Sequence, residues 1–171
     1  ISGINVPANS SVLLIYEAAV TAVAPLGADA AITNTVLADG PCVGAALTAT
    51  ATVAMDSAPR LTISKSLSPE IISGCEPVTY TFVIQNSGSA PADAASEIVV
   101  SDLFDPALAD ISAELDGEPL DPGAYTYDEA SGQFDTVAGS ITVPAAAFTQ
   151  NPDGTWTTDP GVTVLTVTGS M

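Results

Sequence analysis

Nine residues, "VTYTFVIQN" (78–86), constrain the fold of this chain more than any other stretch. Val78, Tyr80, Phe82 and Ile84 alternate with Thr79, Thr81 and Gln85, which puts the apolar set on one face of a strand and the polar set on the other. A helix cannot use this period, because its faces are built from residues three and four apart. The same pattern or a β-branched composition recurs in "SVLLIYEAAV", "AAITNTVLA", "ALTATATVAMD", "RLTISKSL", "SEIVVSDLF", "ADISAEL", "AYTYD", "GQFDTV", "SITVPAAAF", "GTWTTD" and "VTVLTVTG". Turn signals such as "PLGAD", "ADGP", "SPEIISG", "NSGSAP", "LDGEPLDPG", "DEASG" and "NPDG" separate them. "SAPADAASEI" has room for one helical turn and reads better as a connecting loop. Many short strands at close spacing predict an all-β sandwich.

Charge narrows the partners. The chain has 2 Lys+Arg against 20 Asp+Glu and no His, a formal net charge of -18. Such a field repels nucleic acid and anionic membrane surfaces. With only 13% charged and 47% hydrophobic residues, the chain carries enough apolar surface to fold, unlike a disordered acidic tail. No stretch is long and apolar enough to span a bilayer, and no signal peptide is recognised, so membrane insertion is not expected. The initial Ile1 suggests a mature, processed or trimmed form. Low Lys, abundant Thr, Ala and Asp, and strong negative charge fit a secreted or surface protein.

"DSAPR" (56–60) reads as a linker, with 58–60 separating two segments. Residues 61–171 have the run that opens a domain, and residues 1–57 read as the closing half of one. "ISGI" at the start and "VTGS" at the end look equivalent, so the expectation is one domain's worth of strands in permuted order. The lysine strand "RLTISKSLSP", then "VTYTFVIQNSG" and "VVSDLFDP", and separately "ITNTV", resemble the repeat domain of bacterial surface proteins known as domain of unknown function eleven. "VPAAAFTQNPDGTWTTDPGVTVLTVTG" is similar to short Gram-positive members. The resemblance covers nearly the whole chain and departs from the family in order: 61–171 lack their own "ITNT" strand, and 1–57 lack their own lysine strand. It implies an immunoglobulin-like or CnaB-like β-sandwich at the bacterial cell surface, and no particular activity.

The only lysine, Lys65, shares a strand face with Leu61, Ile63 and Leu67. Asp102 falls on a face with Ile98, Val100 and Phe104, and Asn34 with Ile32 and Val36. Three inward polar residues of these types suit one chemistry. An amine withdrawn from water is more easily deprotonated and then nucleophilic, and a buried carboxyl shuttles protons and polarises an amide carbonyl. Attack on a carboxamide releases ammonia and leaves an isopeptide bond. Gram-positive pilin and adhesin sandwich domains use such an arrangement, with lysine on the first strand, and the placement here is similar. That resemblance makes Lys65 and Asn34 crosslink partners and Asp102 the proton shuttle. The plain alternatives are a Lys65 that snorkels to the rim or pairs with Asp102, and an Asn34 amide hydrogen-bonded at a strand end.

In such sandwiches the first and last strands lie side by side and parallel, which "DSAPR" is too short to connect within one domain. Residues 1–57 are therefore expected to complete a neighbouring copy, by β-augmentation that does not close and so builds a filament. Counting outward from the linker puts Cys42 and Cys75 at opposite ends. Head-to-tail stacking then brings one copy's Cys42 toward another's Cys75 for an intersubunit disulfide, the alternative being two free thiols. The acidic loops "DGEPLDPG" and "TYDEASGQFD" match no defined Ca²⁺ spacing, and "NSS" at Asn9 is a formal sequon only. Trp156, Tyr125 and Tyr127 suit packing better than a carbohydrate patch. Without His, a Ser–His–Asp set, a metal-type Cys cluster or a phosphate loop, no cofactor and no conventional enzyme activity are expected.

The reading is a structural subunit of an extracellular or cell-surface fibre, a head-to-tail homopolymer. The alternatives are a non-polymerising spacer or adhesin piece, or a carbohydrate- or Ca²⁺-binding module.

Overall fold

The computed structural model describes residues 1–71 and 76–170. Its strands are β1 (Ala31–Ala38), β2 (Leu47–Ala54), β3 (Leu61–Ser68), β4 (Val78–Asn86), β5 (Ser101–Leu103) and β6 (Ala109–Leu115). They continue with β7 (Glu118–Pro119), β8 (Tyr125–Asp128), β9 (Gln133–Thr136), β10 (Ala147–Gln150), β11 (Trp156–Asp159) and β12 (Gly161–Ser170). Among the described residues, helical structure is confined to two three-residue 3-10 turns, Ala94–Ser96 and Pro122–Ala124. The first lies inside "SAPADAASEI", which is otherwise a loop.

Strand β4 anchors the molecule because its alternation is unbroken. Val78, Tyr80, Phe82 and Ile84 are 0%, 7%, 3% and 3% exposed. It pairs antiparallel with β3 on one side and β12 on the other, in a five-stranded sheet ordered β3-β4-β12-β6-β7. A three-stranded sheet, β5-β9-β8, forms the opposing layer. The core lies between them: Leu165 and Val167 of β12 and Ala113 of β6 join the β4 residues, and Val100, Phe104, Leu108 and Phe134 meet them from the other side. Fully burying a phenylalanine side chain contributes about 1.5–3 kcal/mol relative to leaving it exposed, so Phe104 and Phe134 are major stabilising residues. The rings of Phe104 and Phe134 sit 5.9 Å apart, and Phe104 stacks on Tyr80 at 4.6 Å.

The buried amide of Asn86 is fully paired. Asn86, at the end of β4, accepts at Oδ1 from the backbone N–H of Arg60 (2.9 Å) and of Gly88 (2.9 Å). Its Nδ2 donates to the carbonyls of Ala90 (2.8 Å) and Pro144 (2.9 Å). One side chain thereby ties the linker, the 86–90 turn and the approach to β10. The linker rests directly on that turn: a Cβ at Gly88 would collide with the Ala58 carbonyl and the Arg60 nitrogen. Ser87 N–H also donates to Arg60 O at 2.9 Å.

Three strand expectations need correction. "SVLLIYEAAV" forms no strand: its backbone pairs with no other segment of the described chain. "SITVPAAAF" is broken at Pro144, which has no N–H to donate, leaving a bridge between Ala92 and Val143 and then β10. "SEIVVSDLF" contracts to the three residues of β5.

The first 57 residues contribute nothing to the buried core. They hold one two-stranded sheet, β1 paired antiparallel with β2, in register from Ala31↔Ala54 to Ala38↔Leu47. Val36, Leu37, Leu47 and Val53 are all more than half exposed. A lone two-stranded hairpin whose apolar side chains stay largely exposed is marginal in water.

Candidate functional site

Among the described residues, two strand edges are left unpaired next to each other. β3 ends its sheet, bonded only to β4, and β5 ends the opposing sheet, bonded only to β9. Between them opens a groove of about 420 Å³ lined by Ile63, Ser64, Lys65, Phe82, Val99, Val100, Ser101 and Asp102. Two of its apolar lining residues are wet: Ile63 is 57% exposed and Val99 50%. Native proteins normally cover or charge such edges, since unpaired N–H and C=O groups template further strands.

Lys65 and Asp102 meet across this mouth. In the β3–β4 register Lys65 stands opposite Phe82, with Ile63 opposite Ile84 and Leu67 opposite Tyr80. The lysine therefore belongs to the core-facing set, as the alternation predicts. Its Nζ forms an ion pair with Asp102 Oδ2. It also lies 4.6 Å from the Tyr80 ring centre and 5.7 Å from those of Phe82 and Phe104. Aromatic faces attract a cation and shed water from around it. The side chain is 40% exposed and that of Asp102 18%, so the amine reaches the mouth while the carboxylate sits deeper. Asp102 Oδ2 accepts no well-angled hydrogen bond and has no access to water; the Lys65 charge alone offsets its burial.

Asn34 stands elsewhere. It lies on β1 opposite Ala51, on the face shared with Ile32 and Val36, and its Nδ2 donates to the Tyr16 hydroxyl. No residue of 1–57 lines the Lys65 groove. Instead, residues 18–25 lie over the hairpin and enclose with Ile32 and Val53 a second, mostly apolar groove of about 420 Å³. The chain thus brings Lys65 and Asp102 together and leaves Asn34 with Tyr16. Tyr16 and the aromatic floor under Lys65 escaped sequence reasoning. The signal for the floor was present, because Tyr80, Phe82 and Phe104 lie on the same inward faces as Lys65 and Asp102.

The remaining candidates separate cleanly. Cys42 is exposed, and Cys75, its expected disulfide partner in another copy, lies outside the described residues. Tyr127 donates to Leu108 O and accepts from Leu108 N–H, both at 2.7 Å, and Tyr125 stacks on Phe134 at 5.5 Å. Both tyrosines are packing residues. In the acidic loops Asp121 caps Gly123 N–H at 2.7 Å, and Asp128 binds Ala130 N–H and the Ser131 hydroxyl. No cluster of three or more potential metal ligands occurs among the described residues. No helix of the described chain is long and apolar enough to cross a membrane.

The site is thus an ammonium beside a carboxylate, on an aromatic floor and at an open mouth. Comparison with protein-family models, with curated proteins and with solved structures found no match.

Proposed function

We propose that this chain is a structural subunit of an extracellular or cell-surface fibre, in which residues 1–57 of one copy complete the 61–171 sandwich of the next. The observation that carries this reading is the pairing of opposites within one molecule. One end exposes two unpaired strand edges around Lys65 and Asp102, and the other holds a strand pair with apolar faces and no core. Each supplies what the other lacks. A contact between two different surfaces does not close on itself, so it propagates. The resemblance to the surface-protein repeat domain supports the same setting.

Donation also gives Lys65 a partner. With the Asn34 carboxamide of another copy in the groove, Lys65 Nζ passes a proton to Asp102 and attacks the Asn34 carbonyl carbon. Asp102, now an acid, hydrogen-bonds the developing oxyanion, hands its proton to the leaving nitrogen and takes up the second proton that the attacking nitrogen sheds, ending neutral. One C–N bond forms, one breaks and ammonia departs, leaving a neutral amide where an ammonium stood. The burial cost of the lysine charge disappears with it. Self-directed chemistry of this kind is the only catalysis in the proposal.

The test is a reducing, denaturing gel of protein assembled at high concentration. The expected result is a ladder of multimers that Lys65→Ala or Asn34→Ala collapses to monomer, while Asp102→Ala forms it slowly or not at all. Monomer alone, with an intact lysine amine, removes the crosslink from the proposal. A second reading, a non-polymerising spacer, draws on the linker: Arg60 N–H bonded to Asn86, Ser87 N–H to Arg60 O, and a close seat on Gly88 would fix two units end to end. It predicts a monomer at every concentration.

A further inference from the structure

We infer that Ser11–Val20, and not the β1–β2 hairpin, is the strand that a second copy adds directly to the free edge of β5. The inference rests on the strand-donation reading and assigns its geometry. In its own chain this segment forms no strand, and among the described residues its backbone makes no hydrogen bond to another backbone group. Val12, Leu13, Leu14, Ile15 and Tyr16 are 49%, 83%, 50%, 79% and 62% exposed. Ten residues, seven of them aliphatic, with both backbone edges free need a ladder, and β5 has one to give.

The faces match as well. Read with strand alternation, Val12, Leu14, Tyr16, Ala18 and Val20 form one face without a charge, and Glu17 falls on the other with Leu13, Ile15 and Ala19. Beside β5 the uncharged face would cover the apolar part of the groove, lined by Ile63, Phe82, Val99 and Val100 next to Lys65 and Asp102. Glu17 would then face water rather than the buried Asp102. Tyr16 lies on the covering face, and its hydroxyl already holds Asn34. A donated segment therefore carries β1 with it, next in line toward β3, and the Asn34 carboxamide arrives on the same side as Lys65. The hairpin alone, added straight to β5, would leave Ser11–Val20 as bare as before.

The experiment uses the full chain with Cys42 and Cys75 replaced by Ser and Leu103→Cys on β5. Leu103 follows the inward Asp102, so it faces outward, at 57% exposure. A second cysteine is placed at each position from Val12 to Val20, and mild oxidation is read on a non-reducing gel, counting only bands that reductant removes. The expected products are intermolecular links from Leu13, Ile15 or Glu17, the outward set, and few from Val12, Leu14 or Tyr16. Leu14→Lys without added cysteines should raise the concentration for half-assembly at least tenfold, and Leu13→Lys much less. Links formed instead with Ile63→Cys on β3, links within one chain, or assembled protein with no link at β5 each overturn the inference and leave strand donation standing. A parent chain that never assembles overturns both.

Discussion

Replacing Asn86 tests how the fold seats its linker. The side chain is 0% exposed and makes four hydrogen bonds, at 2.8–2.9 Å, to the backbone of Arg60, Gly88, Ala90 and Pro144. A typical hydrogen bond contributes about 0.5–1.5 kcal/mol net, and leaving a buried partner unsatisfied raises the cost. Asn86→Ala loses all four, so a destabilisation of about 4 kcal/mol is expected, a large fraction of a marginally stable domain. Asn86→Asp separates the contributions, since its carboxylate still accepts from Arg60 and Gly88 but meets the Ala90 and Pro144 carbonyls as a second acceptor. That carboxyl binds its proton more tightly folded than unfolded, so the variant's stability should recover as pH falls and worsen as pH rises. Urea unfolding followed by the fluorescence of Trp156 measures both. The midpoint should drop with the slope unchanged. A loss below about 1 kcal/mol for Asn86→Ala would falsify the claim that this residue clamps the linker to the sandwich.

Lys65→Met removes the charge opposite Asp102 and should destabilise the chain by about 1–2 kcal/mol, below the cost of breaking a fully buried pair because the mouth is open to water. Lys65→Met combined with Asp102→Leu should recover most of that loss in the same urea assay, and no recovery would mean that the pair is not the cause. Tyr127→Phe, which strands both backbone groups of Leu108, should cost about 1–2 kcal/mol by thermal unfolding. Gly132→Ala should cost more than a helix-type glycine change, because φ is +78° and the added Cβ would strike the Phe104 carbonyl; equal stability would rule out that backbone approach. The Thr155 hydroxyl, and then its N–H, hold the Asp153 carboxyl below its ordinary value. Its contribution to stability is present above the ordinary carboxylate range and is lost as pH falls through the lowered pKa. Carbon-detected NMR titration should show that depression, and Thr155→Val should reduce it.

The sandwich was legible where one strand is buried on one face and wet on the other. β4 and the second half of β12 alternate cleanly because core and water impose opposite demands on successive residues. The inward placement of Lys65 and Asp102 followed from the same rule, although neither position looks apolar. Pairing was less legible. Ser11–Val20 has the composition of a strand, but a strand is a relation between two backbones, and composition does not reveal whether the second one is in the same molecule. β5 is short for a related reason, since only Ser101–Leu103 find ladder partners on β9 and the other edge is free. The four bonds of Asn86 could not be read from "QNSG", because two of their partners, Arg60 and Pro144, are distant in sequence.

The most direct test of head-to-tail strand donation is the native molar mass of the full chain, measured by light scattering as its concentration is raised. The account predicts mass growing in integral multiples of the 17.1 kDa chain without saturating at a closed dimer, and growth that free residues 1–57 suppress by occupying the groove. A constant mass of one chain over the whole range, unaffected by that segment, would contradict it.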